Sequence, residues 1–257
     1  MRKVYLIGAG PGDPELLTLK AARLLATADI VLHDALVSGG VLDMISPAAE
    51  VIDVGKRAGR KLLTQDEINA LLVFSARSRE TVVRLKGGDP SIFGRAGEEI
   101  EALRQAEIEY EIVPGITAAL GAAAAAGISL TDRRVASQIL FSTFSREAGD
   151  KVMDWCCVTS TTTLVLYMPG PDYAEVGRRL REAGLPADLP CVIVSGASRK
   201  EQVTRRSTLA RLAAEEKLPA PALLIVGRVA SRSIAQCSES FWKEEKKDRT
   251  AQHVSVI

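Results

Sequence analysis

The sequence predicts an α/β protein made of two α/β domains, the first built on a parallel sheet and the second on a mixed sheet. Short β-rich runs alternate with helical patterns through the first half of the 257-residue chain, which is typical of a parallel sheet covered by helices on both faces. After an alanine-rich stretch the pattern restarts with two strands in close succession, which indicates an antiparallel pair. The length also corresponds to about two domains at roughly 150 residues each.

In the first half, runs of three to five apolar residues are predicted as strands, and amphipathic stretches are predicted as helices. Thr64 precedes one of these helices and Glu67 follows three residues later, which is the sequence signature of a capping box. The predicted strands are Val4–Ile7, Ile30–Leu32, Val51–Val54, Val82–Leu85 and Glu111–Val113, and the predicted helices are Leu16–Ala26, Asp66–Arg77 and Ala96–Gln105.

The second half is predicted in the same way, with one helix ending at Gly184, a residue type common just after a helix. We place the first domain at residues 1–115, the second at 116–240, and a charged, frayed tail at 241–257. The predicted strands are Gln138–Ser142, Thr163–Tyr167, Cys191–Val194, Gln202–Arg206 and Ala222–Val226, and the predicted helices are Asp172–Ala183 and Ser207–Glu215.

Composition argues against several classes of protein. The 33 Lys and Arg residues nearly balance the 32 Asp and Glu residues, so overall charge does not hold the chain to nucleic acid or to an anionic membrane. No apolar stretch approaches the roughly 20 residues that span a bilayer. The four cysteines form no C-x-x-C pair, and two histidines offer few zinc ligands. We therefore expect a cytoplasmic protein that uses no metal, nucleic acid or membrane, with its cysteines as buried thiols.

Three loops that follow predicted strands carry the candidate site. They are Gly8–Asp13 after the first strand, Gly87–Arg95 after the fourth and Pro114–Ala118 after the fifth. The carboxyl ends of parallel strands meet at one edge of a sheet, so these loops should line a ligand crevice. Glycine-rich turns also let the backbone approach a ligand closely.

A nicotinamide-binding site is an alternative for the first loop. The dinucleotide fingerprint G-x-G-x-x-G requires a third glycine at the position of Asp13, where a carboxylate would face the pyrophosphate. Asp34, about 20 residues further on, stands where a ribose-binding acid is expected. An NAD(P)-dependent oxidoreductase therefore remains an alternative with a poor fit.

Several segments occurring in order resemble the tetrapyrrole methylase family, whose members use S-adenosylmethionine (SAM). GAGPGD alone is typical of the wider family, whereas GKRAGR and RLKGGDP are typical of its uroporphyrinogen branch. The segments are Gly8–Ala21, Val54–Arg60, Arg84–Arg95 and Val113–Thr117, followed in the second half by Leu164–Gly170 and Pro221–Gly227.

The resemblance implies two α/β domains with SAM in the cleft between them, a homodimer, and methylation of uroporphyrinogen III at C2 and C7 to give precorrin-2. A methylase that acts on a later corrin intermediate is the alternative within the same architecture. Ser91 departs from the family pattern, which has phenylalanine there. The implied SAM contacts are Pro11, Gly87, Gly88, Asp89, Ile92, Thr117, Ala118, Met168 and Ala197.

The resemblance also implies two catalytic residues, Asp34 as base and Lys56 as proton donor. A helix-capping or ribose-binding acid is the other interpretation of Asp34. The implied substrate carries many carboxylates, and Arg57, Arg60 and Lys61 add to Lys56 to put four cations into six residues. We expect this basic run to bind the substrate, with a solvated loop as the alternative.

Overall fold

The β-rich runs of the first half form one five-stranded, all-parallel sheet in a computed structural model that describes residues 2–55, 63–144, 154–170 and 172–231. The strand order is β3-β2-β4-β1-β5. Strands consecutive in the chain are joined through helices, as an all-parallel sheet requires. The strands are β1 (Lys3–Gly8), β2 (Ile30–His33), β3 (Glu50–Asp53), β4 (Thr81–Lys86) and β5 (Tyr110–Val113), and the helices are α1 (Leu19–Ala26), α2 (Gly39–Leu42), α3 (Gln65–Ser78) and α4 (Ala96–Gln105).

The central strands of this sheet bury side chains on both faces, to which successive side chains of a strand point in turn. On β1, Leu6 belongs to the cluster that packs against α3 and α4, whereas Ile7 belongs to the cluster that packs against α1 and α2. The capping box of α3 is present, with Thr64 and Glu67 each accepting from the backbone of the other.

The second half forms a five-stranded mixed sheet in the order β6-β7-β10-β8-β9. Only the β6–β7 pair is parallel, and β8 and β9 form the predicted antiparallel pair. The predicted fold class, one parallel and one mixed sheet with helices, is thus confirmed. The elements are α5 (Ala118–Ala126), β6 (Gln138–Thr143), β7 (Thr162–Tyr167), α6 (Tyr173–Glu182), β8 (Pro190–Ser195), β9 (Val203–Thr208) and β10 (Ala222–Val226).

The chain divides into two compact units. One consists of residues 1–121 together with the short segment Gly196–Glu201, and the other consists of residues 122–195 and those from 202 onward. The boundary therefore falls within α5, and the second unit is interrupted by a six-residue segment of the first. The predicted tail, 241–257, lies outside the described residues.

One predicted helix was wrong in extent, and another is absent. The first begins at Leu19 rather than Leu16, because Thr18 caps it by accepting from Ala21 N at 3.2 Å and a separate 3-10 turn covers Pro14–Leu16. The helix predicted over Ser207–Glu215 is absent. Strand β9 continues to Thr208, which pairs with Pro190 of β8, and only Leu212–Ala214 form a 3-10 turn.

The prediction that the cysteines are buried was wrong for two of them. Cys191 is buried in the core of the second unit, but Cys156 and Cys157 are exposed in a 3-10 turn capped by Asp154. Within the described ranges, no helix combines the length and apolar character that a bilayer crossing requires.

Candidate active site

The loops after β1, β4 and β5 meet at the carboxyl edge of the parallel sheet, because these strands are neighbours in it. Gly10 and Gly88 exchange backbone hydrogen bonds, with Gly10 N donating to Gly88 O at 3.1 Å and Gly88 N donating to Gly10 O at 2.8 Å. The first two loops are therefore joined by a two-residue antiparallel bridge. The predicted convergence of these loops is present in the structure.

Glycine is required where the loops cross. A Cβ atom on Gly8 would lie 2.6 Å from both Gly115 Cα and Gly88 O, and a Cβ atom on Gly115 would lie 2.3 Å from Gly88 O. Gly88 also has φ +68°, a left-handed conformation that favours glycine. The three loops thus pack backbone against backbone at this crossing, which we call the glycine cradle.

Asp89 ties two of the loops together. Its Oδ2 accepts from Gly115 N at 3.0 Å, and its Oδ1 accepts from Ser91 N at 2.8 Å and from the Ser91 hydroxyl. The serine that departs from the family pattern therefore donates two hydrogen bonds to this carboxylate. The Asp89 side chain thus braces the loops.

The segment Gly196–Glu201 braces the first loop from another side. Ser198 Oγ accepts from Asp13 N at 3.2 Å, and the Arg199 side chain packs against Gly12 and donates to Leu36 O. Arg199 and Ser198 were not predicted from the sequence, since they lie far along the chain from the loop that they contact.

Several predicted SAM contacts are neighbours in the first unit. A Cβ atom on Gly121 would lie 2.8 Å from Pro11 Cβ and 3.8 Å from Ala197 Cβ. A Cβ atom on Gly88 would lie 3.5 Å from Ala118 N and 3.9 Å from Thr117 Cα. Thr117 and Ala118 thus lie beside Gly88 at the crossing, and Pro11 and Ala197 lie together against Gly121 of α5.

The remaining predicted contacts lie elsewhere or beyond what is described. Ile92 follows the crossing within the second loop, with its N–H donating to Asp89 O at 3.2 Å. Met168 belongs to the second unit, where it follows β7 with φ +48° and is 49% exposed. The predicted catalytic Lys56 and the substrate-binding candidates Arg57, Arg60 and Lys61 lie outside the described residues.

Asp34 stands at the end of β2, beside the loop that carries Gly87 and Gly88. Its backbone N–H donates to Leu85 O at 3.1 Å, and its side chain, 30% exposed, forms an ion pair with Arg84. Arg84 also donates from Nε to Glu99 Oε1 at 2.9 Å. Lys86 donates to both oxygens of Glu99, at 2.8 and 2.9 Å.

The pKa values of the two cations are shifted in opposite directions, although burial lowers both. Burial by itself lowers the pKa of Arg84, but the carboxylates of Asp34 and Glu99 more than offset it, so the pKa is raised. Burial, followed by the positive charge of Arg84, lowers the pKa of Lys86 even though Glu99 lies against it. Of the two cations, the Arg84 guanidinium is therefore the one whose charged form the cluster favours.

Glu99 is the member of this cluster that sequence reasoning missed. A signal was present, because Arg84 and Lys86 alternate with apolar residues in a strand of a parallel sheet, where both must be buried. Buried cations need a carboxylate partner, and α4 follows that strand directly. The acidic start of α4, Glu98 and Glu99, was the place to look for it.

The first loop does not have the features of a nicotinamide site. The Asp13 carboxylate accepts from Glu15 N at 2.9 Å and caps the 3-10 turn at the end of the loop. A carboxylate therefore stands at the turn where a pyrophosphate would bind, and helix α1 begins only at Leu19.

Comparison with known proteins identifies the family of this chain. The family model described as Tetrapyrrole (Corrin/Porphyrin) Methylases matches residues 3–213. The chain belongs to the tetrapyrrole methylase family. The resemblance predicted from the loop motifs is thus confirmed, and all three crossing loops lie within the matched part of this tetrapyrrole methylase.

Similar tetrapyrrole methylases include proteins of known name. The uroporphyrinogen-III C-methyltransferase of Paracoccus denitrificans is 49% identical over 90% of this chain and 82% of its own length. The siroheme synthase of Neisseria meningitidis serogroup B is 46% identical over 88% of this chain, which spans only 47% of that longer protein. The uroporphyrin-III C-methyl transferase of Thermus thermophilus, solved in complex with S-adenyl homocysteine, is 38% identical with a TM-score of 0.79, over 89% of this chain and 99% of that chain.

Proposed function

We propose that this tetrapyrrole methylase transfers methyl groups from SAM to C2 and C7 of uroporphyrinogen III, giving precorrin-2. The observation that carries the proposal is the glycine cradle formed by the loops after β1, β4 and β5, with the Asp34 carboxylate beside it. The named relatives support the choice of substrate, since the Paracoccus methyltransferase is 49% identical across most of both chains.

The cradle suits SAM because its walls are backbone. Gly8 and Gly115 leave no room for a Cβ at the crossing, and Gly88 has a left-handed φ of +68°, so the loops pack backbone against backbone there. Glycine-rich turns of this kind let backbone N–H and C=O groups approach a ligand closely. We assign the SAM contacts to Pro11, Gly87, Gly88, Asp89, Ile92, Thr117, Ala118, Met168 and Ala197. SAM, when bound, supplies an electrophilic methyl group on a sulfonium, so the protein mainly has to place the two reactants in line.

Asp34 has the chemistry of the base. A proton must leave the substrate as each methylation proceeds, and a positioned carboxylate can accept it. Asp34 retains a partly exposed side chain next to the loop of Gly87 and Gly88, where a substrate can meet it. We assign the role of proton donor to Lys56, which the family motif supports. We assign the binding of substrate carboxylates to Arg57, Arg60 and Lys61, which the run of cations supports.

The finer assignment of assembly follows the same resemblance, and that of compartment follows the composition. We propose a cytoplasmic homodimer that requires no metal. Sedimentation analysis of the purified protein tests the dimer, and a monomer at micromolar concentration would contradict it.

The substrate assignment is tested by anaerobic incubation with SAM and uroporphyrinogen III, followed by mass spectrometry of the tetrapyrrole. The expected result is a gain of two methyl groups and release of S-adenosylhomocysteine. Unreacted uroporphyrinogen III, together with saturable SAM binding, would instead favour a later corrin intermediate as the substrate. Binding of NAD(P) in place of SAM would overturn the proposal altogether.

A further inference from the structure

Four charged side chains meet inside the first unit, next to the glycine cradle. Arg84 and Lys86 are each 2% exposed and Glu99 is fully buried, whereas the Asp34 side chain is 30% exposed. Asp34 is thus the member through which this cluster reaches the surface. The other three side chains cannot contact a ligand unless the structure changes.

All three nitrogen atoms of the Arg84 guanidinium are engaged. Nε donates to Glu99, Nη1 donates to Leu32 O and Leu85 O at 3.3 Å each, and Nη2 donates to Asp34. A guanidinium is planar and rigid, so contacts on three sides fix its orientation. The Asp34 carboxylate therefore faces a charge whose direction is set by the sheet and by Glu99.

Glu99 connects this arrangement to the cradle. Its carboxylate lies on α4 and accepts hydrogen bonds from both Arg84 and Lys86. These two residues flank Leu85 on β4, and Lys86 immediately precedes Gly87. The two cations share one face of the strand because they are two residues apart. One buried carboxylate thus holds the side chain that binds Asp34 and also the last residue before the glycine loop.

We propose that Arg84 is a positioning residue for Asp34, and that Glu99 anchors it: the guanidinium, fixed by Glu99 and by two backbone carbonyls, sets the direction in which the Asp34 carboxylate faces the substrate. The inference rests on the proposed function, since it takes Asp34 as the base. Misplacement of a catalytic group by about 1 Å can cost roughly 100-fold in rate. Orientation of the base therefore gives the buried ion pair a purpose in catalysis, although such a pair contributes little to stability.

A double-mutant cycle on kcat tests the proposal. Arg84→Met removes the guanidinium while keeping similar volume, and Asp34→Asn removes the base. If Arg84 acts through Asp34, Arg84→Met lowers kcat about 100-fold in the wild-type background and by less than about 3-fold when Asp34 is already Asn. Glu99→Gln enters the same cycle, with a smaller loss of about 10-fold that also vanishes in the Asp34→Asn background. SAM affinity, measured by calorimetry, should stay within about 3-fold throughout.

Arg79→Met is the matched control. Arg79 forms an exposed ion pair with Glu50 at 2.9 Å, remote in the fold from the cradle, and the same substitution there should leave kcat unchanged in both backgrounds. Arg84→Lys provides the second variant, because it retains the buried charge while losing the fork that reaches two carboxylates. If Arg84→Met does not fold, the cycle is run with Arg84→Lys, and failure of both variants to fold would assign Arg84 to the fold and overturn the proposal.

The remaining outcomes are distinct. Equal losses of kcat in the two backgrounds would show a structural role and overturn the proposal while the methyltransferase function stands. An Asp34→Asn variant as fast as wild type would also overturn it, because Arg84 would then have no base to position. A wild-type protein that leaves uroporphyrinogen III unmethylated would remove the proposed function and this role together.

Discussion

At the scale of single residues, the chain offers two glycines in contrasting surroundings. A Cβ on Gly115 would meet Gly88 O at 2.3 Å and Gly8 Cα at 2.7 Å, all backbone atoms that cannot move aside independently. A Cβ on Gly97, exposed in the first turn of α4, would meet nothing within 4 Å. The same substitution should therefore have opposite effects at the two positions.

We expect Gly115→Ala to destabilise the protein by about 1–3 kcal/mol, because crowding in a close-packed site forces the backbone to shift. It should also weaken SAM binding, since the cradle is displaced. Gly97→Ala should stabilise it by about 0.5–1 kcal/mol, because alanine loses less backbone entropy in a helix. Urea unfolding followed by SAM titration measures both effects. A Gly115→Ala protein with wild-type stability and wild-type SAM affinity would show that the loops do not cross as described.

The candidate site was predictable in part at this scale. The glycines and Asp34 were found from the sequence because each follows a strand at the same sheet edge, which is a local signal. The contacts of Ser198 and Arg199 with the first loop were not predicted. Ser198 Oγ accepts a hydrogen bond from Asp13 N, which lies 185 positions earlier in the chain. The pairing of Arg84 with Glu99 was signalled only by the need of a buried cation for a partner.

At the scale of elements, helix α6 provides a pH-dependent contact. Asp172 caps it by accepting from Glu175 N at 3.0 Å, and the Glu175 carboxylate receives Arg178 and Arg179 at 2.6–2.8 Å. Hydrogen bonds from Arg178, and then from Arg179, lower the pKa of Glu175 from 4.5 to about 2. The ionised form is therefore favoured in the folded helix.

Because the folded pKa lies below the unfolded one, the contribution of Glu175 to stability is complete above pH 4.5 and is lost as the pH falls towards about 2. We expect the melting temperature of Glu175→Gln to lie below that of wild type near neutral pH and to converge with it in acid. The effect should be small, since the pair is exposed and screened by salt. Glu216→Gln, at a fully exposed carboxylate 3.9 Å from Arg205, serves as the control and should show no such convergence.

The strands of the parallel sheet and helices α3 and α4 were predicted to within one or two residues, but the start of α1 was wrong and the short helix α2 was not predicted. Apolar runs buried on both faces leave little ambiguity, and the capping box fixed the start of α3. The helix predicted over Ser207–Glu215 was wrong because β9, Val203–Thr208, is mostly polar and not buried, so the pairing of its last residues with β8 leaves only a weak local signal. Tertiary pairing, rather than propensity, decided that segment.

At the scale of the whole molecule, ligand linkage distinguishes the two cofactor classes that the first loop suggested. A ligand that binds only the folded protein stabilises it by about 2.7 kcal/mol at 100 times its dissociation constant. For a chain of this length each kcal/mol corresponds to about 2–4 °C in melting temperature. We therefore expect S-adenosylhomocysteine to raise the melting temperature by about 5–10 °C, and NAD⁺ at the same concentration to leave it unchanged.

Asp13 is the physical reason why NAD⁺ should not shift the melting temperature, because its carboxylate already caps the turn where a pyrophosphate would bind. A shift caused by NAD⁺ and not by S-adenosylhomocysteine would contradict the assignment of the cradle, whereas loss of the S-adenosylhomocysteine shift in Gly115→Ala would link the whole-molecule effect to the crossing of the three loops.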